Sequence, residues 1–189
     1  MPTYRLGPTF NPDWAWNGIV LGGGDASGAN GLKGFAATDK RFLRVAFAHV
    51  VLDATAACGM FSPCPSVPTS EGVRCDPVTS AHGMLSPCPD ALKIGSVTSG
   101  GLAGNRQSIN RGESSALLSY LEDTVGFDEL EFWYVADSDY VVKNYGKLEN
   151  NGFKLGKIRS HRDVWAAIAR LASKRKLRLF KIESHMTPQ

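Results

Sequence analysis

The segment ELEFWYVADSDYVVKNY, Glu129–Tyr145, decides how the rest of the chain is read. Its first eight residues are rich in aromatic and β-branched side chains and predict a strand over 129–136. Asp137 follows the strand directly. Ser138 is placed to cap a short helix through Lys147, with Val141, Tyr145 and Leu148 on one side. A carboxylate is thus left where a strand hands over to a helix.

Upstream, ESSALLSYLEDTV predicts a helix over 113–125, with Leu117, Leu118, Leu121 and Val125 on one face and Glu113 in its first turn. Further back, NGIVLGGGD (17–25) is a short apolar run that ends in glycines and Asp25. It reads as a strand opening into a loop. RVAFAHVVLD (44–53) is a nearly continuous apolar strand, expected to be buried on both faces, with His49 as a structural residue. KIGSVTSGGL (93–102) predicts a third strand. Downstream, Ser160 and Asp163 have the spacing of a capping box. Val164, Trp165, Ile168, Leu171 and Ala172 form the inward face of the helix behind it, and LRLFKI (177–182) is the last strand. The order is β-β-(insert)-β-α-β-α-α-β, an α/β layout in one domain over 1–189.

The insert, 54–90, contains GMFSPCP at 59–65 and GMLSPCP at 83–89, lacks any helical or strand period and reads as a poorly ordered loop. All four cysteines, Cys58, Cys64, Cys75 and Cys88, lie in it, with His82 nearby. Their spacing makes no paired C-x₂-C knuckles, so free thiols are expected over a zinc site. Gly22-Gly23-Gly24 lacks the lysine of a phosphate-binding loop.

The 189 residues carry a net charge of only +3, but it is unevenly placed. Residues 101–153 hold nine acidic and four basic residues, whereas 154–189 hold ten basic residues against Asp163 and Glu183. An acidic middle beside a basic end fits either a metal site next to a polyanion-binding face or a solvated helix surface. No apolar run approaches the roughly 18 residues of a membrane span, and an intracellular, monomeric protein is expected.

Three carboxylates stand where chemistry could use them. If the first and fourth strands are neighbours, Asp25 and Asp137 emerge side by side and the first helix can lay Glu113 against them. Clustered carboxylates repel and call for cations. Oxygen donors suit Mg²⁺ or Mn²⁺. By position alone each acid serves equally well as a helix cap.

The local sequences resemble the ribonuclease H family. GGGDASG (22–28) is similar to its first motif, an aspartate before a Gly/Ser loop. NRQSINRGESSALLSYLE (105–122) is similar to its glutamate-bearing helix start, and ADSDYVVKNY (136–145) to its Asp-Ser-x-Tyr-Val segment. KIESH (181–185) is similar to its histidine loop, KLENNGFK to its Asn-Gly-aromatic turn, and HRDVW to the next helix start. The resemblance runs from about Asn17 to His185, the insert excepted. It implies a mixed five-stranded sheet with its first three strands antiparallel. It implies two-metal hydrolysis of the RNA strand of an RNA–DNA hybrid, with Asp25, Glu113 and Asp137 holding two Mg²⁺ or Mn²⁺ ions and His185 assisting proton transfer or product departure. It assigns nucleic-acid contacts to Ser27, Ser138, Lys154, Lys157, Arg159, Arg162, Lys174, Arg175 and Lys176.

The chain also departs from that family. The family's last carboxylate follows the histidine loop in a helix, and Gln189 stands four residues past His185 without one. Asp139 replaces a common Gln, Ala136 a Thr, and Gly112 an Ala. Two readings therefore stand side by side: an active hybrid-specific endonuclease, and a catalytically weak or inactive nucleic-acid-binding module on the same fold. An integrase-type transferase fits less well, because those enzymes typically place the glutamate last.

Overall fold

Phe132, Tyr134 and Ala136 lie on one side of their strand and are buried, while Glu131, Trp133 and Val135 on the other side are half-buried. That period of two is what a strand with one face on a core requires. The computed structural model describes residues 3–28, 44–55, 92–102 and 107–183. It contains six strands, β1 (Thr3–Leu6), β2 (Ile19–Ser27), β3 (Ala46–Asp53), β4 (Lys93–Gly101), β5 (Glu131–Ala136) and β6 (Lys176–Lys181). Three helices accompany them, α1 (Ile109–Asp123), α2 (Asp139–Asn150) and α3 (Arg162–Ala172).

The strands form one mixed sheet in the order β1-β4-β3-β2-β5-β6. From β1 to β2 each neighbour is antiparallel; β2–β5 and β5–β6 are parallel. The expected α/β class and the antiparallel first hairpins are present. The strand count is corrected from five to six. β1 escaped the sequence reading because TYRL offers too few apolar positions to show a period, and as an edge strand it leaves Tyr4 and Leu6 exposed. The insert between β3 and β4 lies, apart from Ala54 and Thr55, outside the described residues, and so do all four cysteines.

Other expectations need smaller corrections. β3 is not buried on both faces: His49 and Val51 are fully buried, and the alternate positions are only half so. α1 starts four residues earlier than expected, because Ser108 caps it by accepting from the Arg111 amide at 3.2 Å. Its buried face is Ala116, Leu117, Tyr120 and Leu121, whereas Val125 lies beyond the helix and is exposed. The capping box at Ser160 is absent. His161 occupies the N-cap of α3 at φ 53°, without a side-chain cap bond, and Asp163 is drawn to Arg111 instead. The cap at Ser138 is present, accepting from Val141 at 3.4 Å.

α1 packs on β2 and β3, α2 against β5 and β6, and α3 on α1. The main core has Val20, Tyr120, Phe132, Tyr134, Leu148 and Trp165 among its members, and a small second cluster forms around Trp16 and Ala54. The approach of α1 to the sheet is unusually close at Gly112, where a methyl group would stand 2.6 Å from the Ala26 Cβ and 2.7 Å from Val45 Cγ1. Glycine is a poor helix former, by about 1 kcal/mol relative to alanine. Its presence here is explained by the contact.

Gly112→Ala therefore sets propensity against overpacking, which costs roughly 1–3 kcal/mol. The expected result is a net loss of about 1 kcal/mol in denaturant unfolding, with a larger loss for Gly112→Val. A gain for the alanine variant would mean that α1 moves off the sheet without cost.

Candidate metal centre

The β2–β5 register places Gly23 opposite Val135, so the two chains run side by side past Asp25 and Asp137 at the same end of the sheet. Asp25 lies within β2, two residues before its end, rather than after it. Glu113 lies in the second turn of α1 rather than the first. From these three elements, carboxylate oxygens of Asp25, Glu113 and Asp137 converge to within 4.8 Å of one another. Asp25 is exposed, Asp137 half-buried and Glu113 buried.

Burial of Glu113, then the charges of Asp25 and Asp137 and a hydrogen bond shared with Asp25, push its pKa up to about 8. The Asp25 carboxylate also accepts from the Ala26 amide at 2.6 Å. An all-oxygen donor set of this kind matches hard divalent cations such as Mg²⁺ and Mn²⁺. Burial and the two neighbouring carboxylates thus both disfavour the charged form of Glu113, and a bound cation would offset the repulsion. The residues present fit such an ion.

Around the triad, Lys181 at the end of β6 donates to the Asp137 carbonyl at 3.0 Å and lies 3.0 Å from Asp139 Oδ1. Asp139 also pairs with Lys143 at 2.9 Å. Hydrogen bonds from Lys143 and then Lys181 hold its carboxyl below the usual range. The acidic side chain at 139 is thus balanced by two lysines. Glu183 lines an open cleft of about 570 Å³ together with Asp25 and Asp137. Sequence reasoning missed Lys181 and Glu183; the signal for both was a strand end parallel to that of β5, and reading it required the sheet order.

The remaining predicted contacts divide by position. Ser27 ends β2, on the same side as Asp25, and Ser138 caps α2 beside Asp137. Arg159 and Arg162 are exposed near the triad's end of the molecule, because Tyr140 donates to the Ser160 carbonyl at 3.4 Å. Lys154 and Lys157 are exposed on the connection between α2 and α3. Lys174 and Lys176 sit at the start of β6, where Lys176 pairs with Glu131, at the far end of the sheet from Asp137. Arg175 is turned inward. Its side chain is 2% exposed, it pairs with Asp128 at 2.9 Å, donates to the Leu121 carbonyl at 2.7 Å and lies over the Phe132 ring. Arg175 thus ties β6 to α1 and is not brought to the triad. His185 lies outside the described residues.

A second framework steadies the helix that carries Glu113. Arg111 forms a two-pronged ion pair with Asp163, with Nη1 donating to Oδ1 at 2.8 Å. That hydrogen bond, against some burial, raises the arginine's pKa, and the Arg111 guanidinium holds the Asp163 carboxyl well below its usual range. His161 Nε2 lies 3.2 Å from Ser108 Oγ, at the N-cap of α1. Elsewhere, buried His49 lies 3.1 Å from Asp123. Asp123 also accepts from Thr98 at 2.7 Å and pairs with Arg5. Burial works to raise the Asp123 pKa, but the His49 and Thr98 hydrogen bonds and the neighbouring positive charge outweigh it and lower it. His49 is structural, clamping β3 to the end of α1.

No protein-family profile matches the chain. No curated protein sequence matches it either. Among solved structures, the chain is similar to the N-terminal ribonuclease H domain of a Mycobacterium tuberculosis protein fused to maltose-binding protein. That likeness has 15% identity, a TM-score of 0.46, and covers 86% of this chain and 82% of that one. It is similar to ribonuclease H1 from Halobacterium salinarum, at 15% identity and TM-score 0.42, covering 87% and 86% of the two chains. A third is LC11 ribonuclease H1 in complex with an RNA/DNA hybrid, at 17% identity, TM-score 0.42, and 87% and 85% coverage. The fold is similar to that of ribonuclease H domains. These likenesses are too distant to carry a residue's role, which rests on the geometry above.

A carboxyl whose pKa is raised on folding favours the folded state when protonated. Its contribution is complete below the unfolded value near 4.5 and is lost as pH rises through about 8. Without divalent ions, Glu113→Gln should therefore melt higher than the unsubstituted protein at pH 8, and the gap should close toward pH 4.5. Added Mg²⁺ or Mn²⁺ should shrink the gap at pH 8. Equal melting of the two proteins at pH 8 in EDTA would show that Glu113 is not under that strain.

Proposed function

We propose that the chain is a metal-dependent endonuclease that hydrolyses the RNA strand of RNA–DNA hybrids, using two Mg²⁺ or Mn²⁺ ions held by Asp25, Glu113 and Asp137. The observation that supports this reading most directly is the convergence of the three carboxylates to within 4.8 Å from β2, α1 and β5. When bound, such ions supply Lewis acidity and an activated water for phosphodiester hydrolysis.

The protein's own part is positional. Asp25 and Asp137 are fixed by adjacent parallel strands, and Glu113 is held over them by the close seat of α1 on the sheet. The cleft is open, as a duplex substrate requires. Arg159, Arg162, Lys154 and Lys157 are the candidates for contacts to the hybrid's phosphates, with Ser27 and Ser138 nearer the scissile position. Lys174 and Lys176, at the far end of the sheet, would reach the hybrid only away from the cleavage point. Arg175 keeps its internal bonds. Phosphate contacts of this kind are salt-sensitive and largely independent of sequence. Choice of the RNA strand would rest on 2′-hydroxyls read across a shallow minor groove. The role in proton transfer proposed for His185 rests on the resemblance of KIESH (181–185) to the histidine loop of the ribonuclease H family.

Incubation of a labelled RNA–DNA hybrid with Mg²⁺, Mn²⁺ or EDTA tests the reading, with single-stranded RNA and double-stranded DNA as controls. Cleavage of the hybrid's RNA strand alone, dependent on metal, is the expected result. Asp137→Asn should cut that rate by at least about 10³-fold, the scale on which losing a group that acts on the transition state is felt, while leaving the thermal melt intact. Metal-independent salt-sensitive binding without cleavage would favour the inactive binding module.

A further inference from the structure

Each main-chain carbonyl needs a donor, and where a strand hands over to a helix the regular ladders leave a gap. Asp137 stands at such a gap. The β5–β6 pairing ends one residue earlier, with the Ile182 amide donating to the Ala136 carbonyl at 3.1 Å. The hydrogen bonds of α2 begin one residue later, with the Val142 amide donating to the Ser138 carbonyl at 3.1 Å. The Asp137 carbonyl falls between the two. Its one donor among the described residues is the Lys181 ammonium, at 3.0 Å.

The strand period places Lys181 for this task. It shares a side of β6 with Leu177 and Leu179, which pack in the core, and α2 contacts that strand. Its stem is therefore carried toward the start of α2. There Asp139 Oδ1 lies 3.0 Å from the ammonium, and Lys143 holds the other oxygen of the same carboxylate at 2.9 Å. Lys181 is thus anchored on Asp139 and reaches from it to the Asp137 carbonyl. No ion pair joins it to the Asp137 carboxylate, which remains with Asp25 and Glu113. The main chain on both sides of that carboxylate is held, while the carboxylate itself is left for a ligand.

We propose that Lys181 is a positioning residue for Asp137: its ammonium, anchored on Asp139, fixes the main chain between β5 and α2 and with it the direction from which the Asp137 carboxylate meets the ion. The inference rests on the reading of the triad as a metal centre. Partners that orient a metal ligand typically contribute 10–100-fold to metal affinity. Through-space charge acts in the opposite direction. Removing a positive charge beside three carboxylates should by itself tighten cation binding. The sign of the change therefore separates positioning from charge.

The test is Mn²⁺ titration of the full chain, followed by electron paramagnetic resonance of the free ion, on the unsubstituted protein, Lys181→Met, Lys143→Met and Asp137→Asn. Melting curves in EDTA are recorded in parallel. The expected result is binding by the unsubstituted protein, loss of it in Asp137→Asn, and affinity weakened about tenfold in Lys181→Met. Lys143→Met removes the other ammonium from Asp139 but nothing from the Asp137 carbonyl, and should bind Mn²⁺ at least as tightly as the unsubstituted protein. The melt of Lys181→Met should move little, because an exposed ion pair contributes little to stability. Equal or tighter Mn²⁺ binding by Lys181→Met, or equal weakening in both lysine variants, overturns the role of Lys181 and leaves the metal centre standing. So does a Lys181→Met protein that is unfolded at the temperature of the titration, since Lys181 would then hold the fold rather than the ligand. Absence of Mn²⁺ binding by the unsubstituted protein overturns the metal centre and this inference with it.

Discussion

Three carboxylates packed within 4.8 Å of one another repel, and nothing in their own chemistry would bring them together. What holds them there is backbone: the parallel pairing of β2 with β5, together with a helix seated so closely on β2 that only glycine fits at 112. A hydrogen-bonded ladder cannot slide by a fraction of a residue. Once Gly23 is opposite Val135, Asp25 and Asp137 must leave the sheet together. The rest of the molecule reads as reinforcement of that arrangement. Trp165, Ile168 and Leu121 bury α1 and α3 in one core. Arg111–Asp163 and His161–Ser108 tie the N-terminal ends of the same two helices beside Glu113.

The strain that results is distributed unevenly. Glu113 is buried and bears it, with a pKa raised to about 8, whereas Asp25 is exposed. At the rim, Asp139 with Lys143 and Lys181 is already balanced. Asp139 and Asp163 are both held in ion pairs, whereas no ion pair joins the three acids that converge. A centre meant only as helix caps would show the reverse, with each acid bonded to the amides of its own helix, as Ser138 and Ser108 are.

Much of this was legible in the sequence, and the reasons are local. The strand at 131–136 followed by Asp137, the Ser138 cap, and the Val141–Tyr145–Leu148 face are set by period, propensity and capping within a dozen residues. The α/β order followed from the same signals. What failed depended on partners distant in the chain. β1 exists because β4 offers it an edge, and Asp163 abandons a capping role because Arg111 lies across from it. α1 starts at Ile109, ahead of the expected Glu113, with Gly112 inside it at the contact with Ala26. Arg175 was assigned to the nucleic acid by the family resemblance, but Asp128, Leu121 and Thr124 draw it inward.

The same distinction explains why the acids could be proposed as a set but not ranked. Each was visible at a junction of elements, where an acid is chemically unremarkable. Only the register of β2 on β5 turns three ordinary junctions into one centre, and only the depth of α1 on the sheet decides which acid is buried.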